Sequence, residues 1–136
     1  MSNNQQEYEL AWESFKFYNK QLFEKENEHI RLVEEIQDFF KENNFPSKKQ
    51  KQPLKRKYRK SSTNLISLYN KLLQELNTLI EIQENKPLDL EVEINEEDPL
   101  GTDVMMMKEL SRVTTILREE MKIECHQFLE IFNYEE

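Results

Sequence analysis

Glycine is almost missing from this chain: Gly101 is the only one in 136 residues. That excludes the phosphate-cradling loop and the dinucleotide-binding fingerprint, which need several residues without side chains where backbone meets phosphate. Cysteine is equally scarce, and a lone Cys125 cannot close an internal disulfide. Long apolar runs are absent too. The longest aliphatic run, Val104 to Met107, has four residues where a membrane span needs about twenty. The stretch Ser2 to Gln6 is polar where a secretory signal has an apolar run, so a reducing compartment is expected. With four prolines and one glycine, turns are few and long regular elements are favoured.

Charge is abundant. Residues Asp, Glu, Lys and Arg make up 34% of the chain and the formal net charge is -8. The two signs are sorted: Lys48 to Lys60 holds eight Lys or Arg and no acid, leaving 11 bases against 27 acids elsewhere. Most of the surface should therefore repel a phosphate backbone, confining any nucleic-acid contact to that one segment.

The apolar residues fall on helical stripes. Tyr8, Ala11, Trp12, Phe15, Tyr18 and Leu22, then Ile30, Val33, Ile36 and Phe40, recur in steps of mostly three or four. This predicts a helix from Gln5 to Asn43, exposed or bent where Glu24 to Glu28 interrupt the stripe. Asn43 or Asn44 supplies a left-handed end and Pro46 stops it. Leu65, Tyr69, Leu72, Leu76 and Leu79 predict a second, heptad-like helix with Ile66, Leu73 and Ile80 beside them. Ser61, Ser62 or Thr63 can cap its start, although it can also begin just after Pro53. Leu88 to Ile94 alternate apolar and acidic, which reads as an extended segment. A third helix follows from Asp103 to Asn133, with Met106, Leu110, Val113, Leu117, Met121, Cys125, Phe128 and Phe132 on one side.

The expected fold is thus all-α, with three long helices in an open or extended bundle and one short acidic extended connection. Its divisions are an N-terminal helix in 1–46, a basic linker in 47–60, a central helix in 61–86, the acidic connection in 87–102 and a C-terminal helix in 103–136, forming one domain.

No catalytic centre is expected. Glu26 and His29 have the Glu-x-x-His spacing of carboxylate-bridged iron sites, but such a site needs a second copy, and Glu124 and His126 lie two apart on diverging faces. His29 then reads as a surface histidine. Cys125 and His126 are adjacent, about 100° apart around a helix, so they do not form a nucleophile and base. Met105 to Met107 read as gap-filling core or helix start. No metal, cofactor or small-molecule substrate is expected.

The basic segment carries the functional expectation. Lys48, Lys49, Lys51, Lys55, Arg56, Lys57, Arg59 and Lys60 can neutralise phosphates, and Tyr58 can stack on a base. The two clusters also have the form of a nuclear import signal, which puts the chain in the nucleus, with the cytoplasm as the alternative. The six carboxylates from Asp89 to Asp98 are a candidate mask for this segment. Partner proteins are expected on Leu65, Tyr69, Leu72, Leu76, Leu79, Trp12 and Phe15. The alternative reading is a coiled-coil component of a cytoskeletal or segregation complex, with no nucleic-acid role.

The order of Lys55 to Lys60, then Ser61, Ser62, Thr63 and an apolar helix from Leu65, is similar to the start of homeobox-like DNA-binding domains. With the Asn and Gln usage of Asn3, Asn4, Gln5 and Gln6, it resembles the small homeobox-like accessory subunits of ciliate DNA adenine methyltransferase complexes. The resemblance covers residues 55–85 and implies a non-catalytic subunit that helps a separate methyltransferase hold DNA. No position here supplies the adenine-reading asparagine of a homeodomain recognition helix. What it implies is therefore backbone contact by Lys55, Arg56, Lys57, Arg59 and Lys60.

Overall fold

A computed structural model describes residues 3–85 and 104–133. Among these the chain is an all-α bundle of three helices: α1 Asn3–Glu42, α2 Lys48–Asn85 and α3 Val104–Asn133. The expected extended acidic connection and its candidate masking role lie outside the described residues, as does Asp103, the expected first residue of the third helix.

The second helix begins well before the heptads. Ser47 Oγ accepts from the Gln50 amide at 3.2 Å, while Gln50 Oε1 accepts from the Ser47 amide at 2.9 Å. This reciprocal capping box satisfies two amides that a helix start otherwise leaves unpaired. Helix α2 then runs through Pro53, although proline removes one backbone bond. Lys51, Leu54, Tyr58, Ser62 and Leu65 follow at spacings of three and four and are all buried. The basic linker expected at 47–60 is therefore helix, and Ser61 to Thr63 lie inside it rather than capping it.

The turn before α2 also departs from expectation. The left-handed residue is Phe45, with φ 55°, not Asn43 or Asn44. Asn43 instead closes α1, its amide and side-chain Nδ2 both donating to the Phe39 carbonyl at 3.0 and 2.9 Å.

Helix α2 is the middle element. It runs antiparallel to α1, with Glu26, His29 and Glu35 meeting Tyr69, Ser61 and Lys57 in turn. It is antiparallel to α3 as well, as Lys108 meets Glu84 at one end and Lys55 meets Asn133 at the other. Hence α1 and α3 run in the same direction, and among the described residues no Cα of one lies within 8 Å of a Cα of the other. They flank α2 and leave a trough between them.

Two apolar cores result. The larger joins Tyr8, Phe15 and Leu22 to Leu65, Leu72, Leu76 and Leu79 and to Met107 and Met121. The smaller gathers Ile36, Leu54, Tyr58 and Phe132, with Phe40 and Phe132 edge to face at 5.6 Å. Between them lies a polar layer. Tyr69 donates its hydroxyl hydrogen to Glu26 at 3.0 Å, and His29 Nδ1 shares a hydrogen bond with Ser61 at 2.7 Å. Of the two outcomes expected for Glu24 to Glu28, exposure holds at Glu24, Lys25, Asn27 and Glu28, with Glu26 half-buried, and α1 runs through the stretch unbroken. By contrast His29, expected at the surface, is buried, and Ser61 satisfies its ring.

Candidate nucleic-acid interface

Once 48–60 is helical, its period decides where each cation points. At 100° per residue, Lys49, Arg56 and Lys60 fall on one outward line opposite the buried Leu54, Tyr58 and Leu65, and all three are exposed. They span about 17 Å of helix axis at 1.5 Å per residue. Lys57 and Arg59, also exposed, flank this ridge. Toward the C-terminus the outward line continues as Thr63, Ser67 and Gln74, and the first acid on α2 is Glu75. The result is a cationic ridge extended by neutral hydrogen-bonding side chains.

The other expected contact residues are placed differently. Lys51 is 6% exposed and lies on the inward face, so it is not part of the ridge. Lys48 is exposed at the start of the helix. Lys55 is half-buried beside α3, where its Nζ donates to Asn133 at 2.9 Å. On the other side Lys57 approaches Glu35 of α1 at 3.8 Å, both side chains being more than half exposed. An exposed pair of that kind contributes about 1 kcal/mol at most, so it does not withdraw Lys57 from solvent.

Tyr58 cannot stack on a base. It is 2% exposed, its ring lying against Phe128 with centroids 4.3 Å apart, and burial pushes its phenol up to about 12. His29, 5.1 Å from the same ring, is held below its ordinary value by burial.

The residues expected to dock partners are also turned inward. Leu65, Tyr69, Leu72, Leu76, Leu79 and Phe15 are buried in the larger core, and Trp12 packs against it, stacked on Phe15 at 5.7 Å. The heptad face meets the chain's own α1 and α3, because those helices already cover it. Some of the exposed apolar residues stand on the walls of the trough, Phe23 and Ile30 on α1 and Leu117 and Ile131 on α3, while others, such as Leu10, Phe17 and Ile123, lie away from it. Ile30, expected in the main stripe of α1, is 55% exposed, and its seven-residue step from Phe23 is the signal for that second face.

No protein-family model, curated protein or solved structure matches the chain. Function is therefore read from the residues themselves. Among the described residues no group of three or more His, Cys, Asp or Glu side chains could hold a metal ion, and no helix is long and apolar enough to cross a membrane. Glu26 and His29, which share the spacing of an iron site, are engaged with Tyr69 and Ser61.

Proposed function

We propose that this protein is a non-catalytic helical subunit that touches a nucleic-acid backbone through α2 while partner proteins supply any chemistry. The observation that carries this reading is the ridge of Lys49, Arg56, Lys57, Arg59 and Lys60. Five exposed cations gather on the outer side of one helix in a chain of net charge -8. Cations grouped against an acidic background concentrate the attraction for a polyanion at one place. The ridge offers point charges and guanidinium forks and has no aromatic platform, which favours phosphate contact over base reading.

The resemblance to accessory subunits of DNA adenine methyltransferase complexes suggests duplex DNA as the polyanion and the nucleus as the setting. It bears on this chain through the cations of α2 alone. Those cations lie on a continuous helix, not on an extended arm ahead of one, so the proposed contact lies along the helix side.

The test is a variant with Lys49, Arg56, Lys57, Arg59 and Lys60 changed to Gln, titrated by fluorescence anisotropy against a duplex over a range of salt. The expected result is weaker binding, with a log K against log salt slope shallower by about 0.9 for each phosphate no longer neutralised. An unchanged slope excludes the ridge as the contact.

A further inference from the structure

Between α1 and α3, above α2, lies an open trough. It consists of two grooves in line along the helices, one lined by Asn19, Phe23, Leu110 and Leu117 over Tyr69 and Leu72, the other by Ile30, Gln37, Glu124 and Ile131 over Tyr58. Asn19 to Gln37 is about 27 Å of helix at 1.5 Å per residue, or five turns. Phe23, Ile30, Leu117 and Ile131 stand on these walls 67%, 55%, 41% and 39% exposed. Apolar side chains aligned along a trough of that length suit the apolar stripe of an amphipathic helix. Two parallel helices with a third beneath them are also what a four-helix bundle looks like with one member removed.

Charge selects the occupant. The charged residues lining the trough are Glu26, Glu34 and Glu124 against Lys20 alone. Glu26 is engaged by Tyr69, but Glu34 and Glu124 are exposed, one on each wall, and both lie at the end of the trough nearer Ile131. An acidic segment would meet like charge on both sides there, whereas Lys or Arg flanking an apolar stripe would meet a carboxylate on either side. We infer that the α1–α3 trough binds a basic amphipathic helix of a partner protein, completing a four-helix arrangement. This rests on the reading of the chain as a binding subunit but not on its contact with nucleic acid, since the ridge lies on the opposite side of α2.

The experiment uses the full chain and two synthetic helical peptides of about 18 residues. Both carry the same leucine stripe, and the flanking positions are Lys in one and Glu in the other. The expected result is that the Lys peptide binds at least roughly ten-fold more tightly than the Glu peptide at low salt. Ile30→Asn with Leu117→Asn should abolish binding, and Glu34→Gln with Glu124→Gln should narrow the preference. Leu10→Asn with Phe17→Asn, exposed away from the trough, should leave both unchanged. Equal affinity for the two peptides, no binding of either, or loss in the Leu10 and Phe17 variant overturns the inference. So does a homodimer in sedimentation that Ile30→Asn with Leu117→Asn dissociates, since a second copy then fills the trough. Unaltered duplex binding by the trough variants keeps this outcome separate from that of the ridge.

Discussion

Tyr69 of α2 donates its hydroxyl hydrogen to Glu26 of α1 at 3.0 Å, joining the two helices through the acid that interrupts the apolar stripe of α1. The tyrosine ring is buried, so its hydroxyl has no ready replacement for that acceptor. Tyr69→Phe is expected to cost about 1.5–3 kcal/mol in urea denaturation, the usual net value for a bond to a charged acceptor. An unchanged denaturation midpoint would show that the pair contributes nothing.

The same contact sets a response to alkali. Burial, and then the nearby Glu26 charge, raise the Tyr69 phenol above its ordinary 10.0, and burial raises Tyr58 to about 12. The folded state holds these protons more tightly than the unfolded chain does. Their stabilising effect is therefore complete below pH 10.0 and is lost as pH rises through the folded-state values. Phenolate absorbance should rise together with loss of helix by circular dichroism; ionisation of Tyr58 and Tyr69 with full helicity retained would contradict this.

His29 sets the acid side. Burial lowers its affinity for a proton, outweighing the opposing pull of Glu124. Here the unfolded chain binds the proton more readily, so the stabilising effect is present above pH 6.5 and is lost as pH falls through the lower folded-state value. The chain should be less stable in mildly acidic buffer than at neutral pH, and His29→Gln should flatten that part of the profile. An identical acid profile in His29→Gln places the titrating group elsewhere.

Leu76 is fully buried in the chain's own core. Leu76→Ala should lower stability by about 2–5 kcal/mol, the range for deleting a core leucine. A variant as stable as the parent, but defective only in self-association, would restore the alternative in which the heptad face is an intermolecular seam.

The turn offers a gain. Phe45 adopts φ 55° while 75% exposed, a left-handed conformation that asparagine and glycine tolerate better. Phe45→Asn should raise the thermal midpoint, because asparagine visits the left-handed region with less strain. Ser47→Ala, which removes the cap of α2, should lower it by about 1 kcal/mol.

These sites also mark what could be read in advance. The spacing of Leu65 to Leu79 was enough to place a helix, because that face is apolar throughout. The start of α2 was harder. Pro53 and a run of cations read as a break, yet Ser47-x-x-Gln50 carries the signal of a cap, and Lys51, Leu54 and Tyr58 continue the buried line. Once that line is extended, helical period alone separates the outward Lys49, Arg56 and Lys60 from the inward Lys51 and Tyr58. The polar layer had no such signal. That Glu26 would meet Tyr69 and His29 would meet Ser61 depends on the register of α1 against α2, which neither helix encodes by itself. Nor does any one stripe show that the heptad face would be covered by the chain's own helices, or that apolar residues would be left exposed along the trough.

The central claim, that the outer side of α2 meets a polyanion, is tested most directly by lysine acetylation read by mass spectrometry with and without duplex DNA at low salt. Protection of Lys49, Lys57 and Lys60, with Lys20 and Lys122 on the other two helices still reactive, is the predicted pattern. Equal reactivity of Lys49, Lys57 and Lys60 with and without saturating DNA, or protection centred on α1 or α3, would contradict it.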